Sequence, residues 1–291
     1  MKKLSDFYKS GVSKVELIKR VSSLTFVEVS NGIYDILGDV SFNDLELSSL
    51  LEATTLLKEL LSSEAPVRIR RVYGDFNCSG NRLTDLRGAP ERVEGGFYCC
   101  CNHLKTLEGA PRYVGRSFVC WENNLTDLRG APEYVGGSFE CSSNQLVSLI
   151  GAPRRIEGSF NCSYNRLQTL QGAPEHVGGD FICKENNLKD LQDAPKYVGG
   201  NFECQSNQLV SLIGAPKRVG GIFNCSHNHL QTLQGAPEYV GGDFDCSSNK
   251  LISFEGAPKY VGGDFFCYGN PREFTEEEVR KLVDVVGEIN V

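Results

Sequence analysis

Long apolar runs are missing from this chain of 291 residues, although 40% of them are hydrophobic. A membrane-spanning helix needs about 18 to 20 continuous apolar residues, so none is expected. A secretory leader is not expected either: Met1-Lys2-Lys3-Leu4-Ser5-Asp6-Phe7 starts basic but turns polar at once, without an apolar core. The expected setting is therefore cytoplasmic. Positive charge is in deficit, with 30 Lys and Arg against 37 Asp and Glu and a net charge of -7. That argues against nucleic acid, whose binding draws on a basic stripe. Histidine is scarce, and His103, His176, His227 and His229 fall at variable positions without a recurring carboxylate or serine partner. The tuned pair that general acid–base catalysis needs is missing. No glycine loop opens a helix to cradle phosphate. The chain reads as a non-enzyme with no cofactor and no catalytic residues.

Phenylalanine is present with a strict period. Phe76, Phe97, Phe118, Phe139, Phe160, Phe181, Phe202, Phe223, Phe244 and Phe265 each stand 21 residues after the last. Two residues after each comes a cysteine, Cys78 through Cys267, and three further on an asparagine, Asn81 through Asn270. These account for ten of the twelve cysteines. Leucine follows two residues after the Asn, Leu83 through Leu251, and again three later, Leu86 through Leu233 with Phe254 last, then Gly-Ala-Pro, in which only Asp193 replaces the glycine, then Val or Ile three residues past the Pro. Alternation at Phe-x-Cys predicts a short parallel strand with Phe and Cys pointing inward and the intervening residue outward. A lone unit cannot bury its apolar side, so stacking supplies the core. The Asn is expected to bond main-chain groups that stacking would otherwise leave unpaired. A longer period is visible too: residues 121–152 recur 63 positions later as 184–215, the trace of a duplicated three-unit block.

The pattern F-x-C-x-x-N-x-L-x-x-L resembles that of leucine-rich repeats, with Phe and Cys in the first two apolar positions. With Val-Gly-Gly-Asp-Phe-x-Cys and the closing Phe274-Thr275-Glu276-Glu277-Glu278-Val279, the chain is similar to leucine-rich-repeat proteins encoded by tailed bacteriophages and large DNA viruses. The shorter repeats are also similar to those of secreted bacterial effectors. The expected architecture is an α/β-type repeat solenoid: a curved parallel β-sheet, an irregular convex side without helices, and helical caps. Residues 1–39 are expected to form an N-terminal helical cap and 40–71 a degenerate first repeat with a helical insertion. Residues 72–270 hold the ten repeats, and 271–291 a C-terminal capping helix and strand, opened by the capping box at Thr275–Glu278.

The cysteine ladder occupies positions where leucine or valine normally packs, and buried thiols behave as small hydrophobes. It is read as core, not as a metal or redox site. Cys100 and Cys101 lie outside the pattern and are read as two incidental exposed thiols, since zinc needs about four placed ligands. The residue after Pro largely alternates in sign, as in Glu91, Arg112, Glu133, Arg154 and Glu175, which suits a ladder of surface ion pairs. The next column, with Tyr113, Tyr134, Arg155, Tyr197, Arg218 and Tyr239, holds residue types common at interface hot spots.

The positions between and just after Phe and Cys vary most on this constant frame. The candidate partner-binding residues on the concave face are Trp121, Glu140, Tyr164, Ile182, Lys184, Glu203, His227, Asp245, Phe266 and Tyr268. With Glu122, Asp180, Glu185, Asp243 and Asp264, this face is acidic. The leading expectation is a scaffold that captures a host protein with a basic surface, a defence protein among the candidates. A sponge for a small molecule or nucleotide and a structural virion component are the alternatives.

Overall fold

The structure, a computed structural model, describes residues 20, 21 and 23–291. Of the expected N-terminal helical cap over residues 1–39, residues 1–19 and 22 therefore lie outside the described residues, while Arg20 and Val21 are helical. The chain forms two compact units, Met1–Gly136 and Gly137–Val291.

Each turn of the repeat contributes two strands of two residues. In the first unit Phe76–Asn77 pairs with Phe97–Tyr98, and that with Phe118–Val119, all parallel and in register. In the second unit the same ladder runs from Phe139–Glu140 to Phe265–Phe266 and ends on Ile289–Asn290. The side read from the sequence as irregular carries a further parallel ladder. It is built from the pair before Gly-Gly, such as Arg92–Val93 on Tyr113–Val114 and His176–Val177 on Tyr197–Val198. The fold is thus a parallel β-solenoid with two strand ladders and no helix inside a repeat.

The core follows from the register. Phe lies on Phe with ring centroids 5.3 Å apart for Phe76–Phe97 and 5.4 Å for Phe139–Phe160, while Phe, Cys, both Leu and Val of the repeats are fully or nearly fully buried. None of the twelve cysteines is in a disulfide. Their thiols do more than fill space: Cys162 Sγ donates to Ile182 O at 3.4 Å and Cys225 Sγ to Asp245 O at 3.3 Å, each in the following turn. Valine would pack there but donate nothing.

The Asn column joins consecutive turns. Asn186 Nδ2 donates to Cys162 O of the preceding turn at 3.1 Å and to Cys183 O and Lys184 O of its own at 3.1 and 3.2 Å. Its Oδ1 accepts from Leu167 N at 2.9 Å. In the first unit Asn102 does the same with Cys78 O, Cys99 O, Cys100 O and Leu83 N.

Two backbone positions per turn are left-handed. One is the second residue after Cys, at φ near 55° in Cys101, Tyr164 and Glu185. The other is the glycine of Gly-Ala-Pro, at φ 87° in Gly172. A Cβ on Gly172 would lie 2.6 Å from Ile150 N of the preceding turn, so this corner excludes side chains sterically as well as by φ. Asp193, at φ 64°, occupies the equivalent place.

Residues within the expected 1–39 cap form an antiparallel hairpin, β1 (Thr25–Ser30) with β2 (Ile33–Leu37). Asn31-Gly32 links them, with Gly32 at φ 75°, a turn pair whose twist suits a two-residue hairpin. Strand β2 then pairs in parallel with β4 (Arg68–Val72), while β3 (Val40–Ser41) pairs with Phe76–Asn77. Between β3 and β4 lies helix α1 (Leu51–Leu60), which buries Ala53, Leu56 and Leu57. At the other end helix α2 (Glu276–Arg280) opens with a capping box on Thr275 and Glu278.

Removing the Asn186 amide takes one donor from Cys162 O, Cys183 O and Lys184 O, which keep Asn165 Nδ2, Asn207 Nδ2 and Tyr164 N, and leaves Leu167 N without its acceptor, so Asn186→Ala should lower stability by about 2 kcal/mol. Phe181→Ala should cost about 4 kcal/mol by opening a cavity. Asp193→Gly should instead stabilise by about 1 kcal/mol by relieving a left-handed L-residue. Urea unfolding of the three variants measures these values, and equal midpoints for all three would refute the assigned register.

Candidate functional site

The strand registers assign the candidate residues to three columns on the Phe ladder. Glu140, Ile182, Glu203, Asp245 and Phe266 fall in one row of the second unit, paired through Asn161 and Asn224. All are half-buried, because neighbours lie only about 4.8 Å away along the ladder. Trp121 belongs to the first unit, one residue past Cys120, and is half-buried. Lys184 and Tyr268 hold the same column in the second unit. Tyr164 and His227 occupy the left-handed column and are exposed.

The face is less free than its composition suggests. Lys184 Nζ meets Glu203 Oε2 at 3.0 Å, and Gln205 Nε2 donates to the same oxygen at 3.3 Å. Asp245 Oδ1 accepts from Ser247 N at 2.9 Å and from Ser247 Oγ at 2.6 Å. Burial raises the Glu140 carboxyl above its ordinary range, opposed by a hydrogen bond from Asn161. The residues before Phe form a capping ladder: Asp180 Oδ1 accepts from Asn201 N at 2.7 Å, Asp243 Oδ1 from Asp264 N at 2.9 Å and Asp264 Oδ1 from Glu288 N at 2.8 Å. These carboxylates satisfy backbone donors of the following turn, a role that the sequence reading missed. The recurrence of Ser, Asp or Asn before the strand was its signal.

The column after Cys is also partly interior, with Ser163, Ser226 and Ser247 at 2%, 4% and 1% exposure. Cys100 sits in that column. It is buried, with Sγ donating to Ser79 Oγ at 3.1 Å, which corrects its reading as an exposed thiol. Cys101 is half-buried beside Glu122, with Sγ to Oε2 at 3.7 Å. Burial, helped by Cys100 and Glu122, pushes its thiol up to about 12.

The second ladder presents a different surface. Of the ion pairs expected along the post-Pro column, Lys196–Glu175 forms at 3.9 Å and Lys259–Glu238 at 2.8 Å, and Arg68, outside that column, meets Glu91 at 2.8 Å. All six side chains are exposed, so solvent screening leaves each pair little net stabilisation. The adjacent rings stack, Tyr113 on Tyr134 and Tyr239 on Tyr260 at 4.8 Å and His176 on Tyr197 at 4.5 Å. Arginine continues the stack, with Arg92 3.5 Å above Tyr113 and Arg218 3.9 Å above Tyr239. A groove of about 610 Å³ opens here in the second unit, lined by residues 194–199, 214–220 and Tyr239.

No group of three or more His, Cys, Asp or Glu is placed to hold a metal ion among the described residues, and no described helix is long and apolar enough to cross a membrane.

The thiolate is the reactive form. Alkylation of the native protein at pH 8 should therefore be slow at every cysteine. Cys101 should react first, at a rate that rises about tenfold per pH unit towards 12. The folded-state thiols of Cys99, Cys183, Cys204, Cys225 and Cys246 are raised well above the ordinary 9.0 by burial. Their contribution to stability is thus complete below pH 9 and is lost as pH rises above it. Peptide-resolved labelling and urea midpoints between pH 7 and 10.5 read both effects; a midpoint independent of pH above 9 would contradict the burial of these thiols.

No protein-family profile matches the chain, and no curated protein does. Among solved structures, the chain is similar to the leucine-rich repeat domain of APL1B, at 15% identity and TM-score 0.41 over 77% of this chain and 75% of that one. It is also similar to YopM, a leucine-rich effector protein from Yersinia pestis, at 18% identity and TM-score 0.36 over 87% and 88%. The YopM of Yersinia enterocolitica WA-314 is similar at 19% identity and TM-score 0.29 over 80% and 64%.

Proposed function

We propose that the chain is a protein-binding scaffold whose Phe-ladder face captures a partner with a basic surface. One observation carries the reading. Across ten turns the inward Phe, Cys, Asn and Leu hardly change, while the outward residues beside them change at almost every step, from Glu140 to Asn161, Ile182 and Glu203. Constant inside and variable outside suits recognition, because the frame supplies rigidity and each turn an independent side chain.

Charge supports the sign of the partner. On this face the second unit carries Glu140, Asp180, Glu185, Glu203, Asp243, Asp245 and Asp264 against one lysine, Lys184, which is itself paired. Ile182, Phe266 and Tyr268 supply apolar contact area, and Trp121 does so in the first unit. Such a field speeds association with cations and is screened beyond about 8 Å at physiological salt. The likeness to virus-encoded repeat proteins makes a host protein the partner of this reading and a host cytoplasm its setting. No step of catalysis is required.

The test is affinity capture from cell lysate on the immobilised protein at 50 and 500 mM salt. Capture should fall with salt, and should be lost in Glu140→Lys with Glu203→Lys and in Trp121→Ala. It should persist in Glu133→Lys on the other ladder, with melts unchanged. Full capture by the first two variants would sink the proposal.

A further inference from the structure

The second ladder opens between Lys196 and Lys217. Elsewhere along the post-Pro column backbone N–H groups donate to the residue 21 positions earlier, as in Glu133 to Arg112, Lys196 to Glu175, Glu238 to Lys217 and Lys259 to Glu238, all at 2.9 to 3.0 Å. Among the described residues Lys217 N donates to no backbone carbonyl, and Lys196 O accepts no backbone bond. The neighbouring bond Gly220 N to Val198 O is stretched to 3.3 Å, against 3.0 Å for Gly199 to Val177 and for Gly241 to Val219. Of the strand pair, only Val198 and Val219 remain in register, whereas Arg218 pairs normally with Tyr239 on the other side. On the Phe ladder the same turns stay joined, with Phe202 N to Ile222 O at 2.7 Å and Phe202 in register with Phe223. The opening is therefore local, and it coincides with the groove and with Asp193, the one residue that breaks Gly-Ala-Pro just ahead of it.

Charge breaks at the same place. Sign alternation fails where Lys196 is followed by Lys217, and like charges opposite one another on neighbouring strands destabilise. The arginines of the next column are held elsewhere by a glutamate two residues on, Arg92 by Glu94 and Arg155 by Glu157, both at 2.6 Å. Arg218 has Gly220 in that position. Its guanidinium plane rests on Tyr239 at 3.9 Å, and no carboxylate of the described residues forms an ion pair with it or with Lys217. Lys196 reaches Glu175 only at 3.9 Å. Lys196, Lys217 and Arg218 thus line a groove with Tyr197 and Tyr239, beside an N–H and a C=O that make no backbone bond, and Glu238 feels the charge of Lys217 without forming an ion pair with it.

We infer that this groove binds an acidic, extended peptide segment. A peptide backbone offers both an acceptor for Lys217 N–H and a donor for Lys196 O, at the spacing of an extended strand, whereas phosphate carries no apolar side chain for the tyrosine rings. Its carboxylates meet Lys196, Lys217 and the free edge of Arg218, and its apolar side chains meet the tyrosine rings. The groove volume lies within the range of small-ligand sites, about 300 to 1,000 Å³. This site is on the other ladder from the face proposed above and takes the opposite charge, so either reading can fail alone.

The experiment is calorimetric titration with an N-acetylated, C-amidated hexapeptide of alternating glutamate and valine, and with its lysine counterpart. The glutamate peptide should bind and the lysine peptide should not. Lys217→Ala with Arg218→Ala should weaken binding at least tenfold, as should the single variant Lys217→Met, while Lys259→Ala and Glu140→Lys with Glu203→Lys leave it unchanged. Deuterium uptake across residues 215–219 should fall when the glutamate peptide is added. Equal binding of both peptides, retention of affinity by the Lys217 variants, unchanged uptake, or displacement of the peptide by equimolar inorganic phosphate would each overturn the assignment.

Discussion

A single side-chain amide in each turn satisfies carbonyls that the stacking of turns would otherwise bury unpaired. Two-residue strands cannot do this alone, because the chain must leave the ladder and bend back into the core three residues after Phe-x-Cys begins. At that bend the carbonyls of Cys and its successor point inward, and Asn186 takes Cys162 O, Cys183 O and Lys184 O together. Aspartate has no donors to offer and glutamine is longer by a methylene. The remaining regularities follow from holding every turn at the same height: Phe must stack on Phe, the corner glycine must stay bare, and one residue per turn must accept a left-handed backbone.

Several charges that composition assigns to recognition turn out to be employed within the fold. Asp180, Asp243 and Asp264 cap backbone donors of the next turn, and Asp245 is tied to Ser247. A capping carboxylate still projects field, since its charge is not cancelled by a backbone N–H. It is fixed in direction, however, and less able to reach a partner than Glu185, which is exposed. On the second ladder the balance is reversed, because the paired charges are those of regular turns and the unpaired ones gather where the ladder opens.

The Phe ladder and the roles of Phe, Cys and Asn were legible in the sequence because their period is unbroken and each residue type suits only one position. The second ladder was not. Its strands contribute a single alternation, Tyr or Arg then Val, which falls below the four or more residues that make a strand pattern recognisable. The Asn31-Gly32 turn was a readable hairpin signal, set aside for the helical cap expected over residues 1–39. The burial of Cys100 depends on how neighbouring turns cover one another, which spacing within one turn does not encode. The opening beside Lys217 required the backbone, although its sequence trace was present in Asp193 and in two adjacent lysines.

The Asn column also sets how the array answers to mechanical load. Each amide ties its turn to the one before it and to no other, so a force pulling the C-terminal end away along the stacking direction meets one bundle of bonds at a time. Releasing one turn gives up about 4.8 Å of stacked height and frees 21 residues, roughly 70 Å of extended chain. Extension would proceed as a series of near-equal steps, and a turn that lacks one of its rungs, as between Lys196 and Lys217, is where the series pauses least.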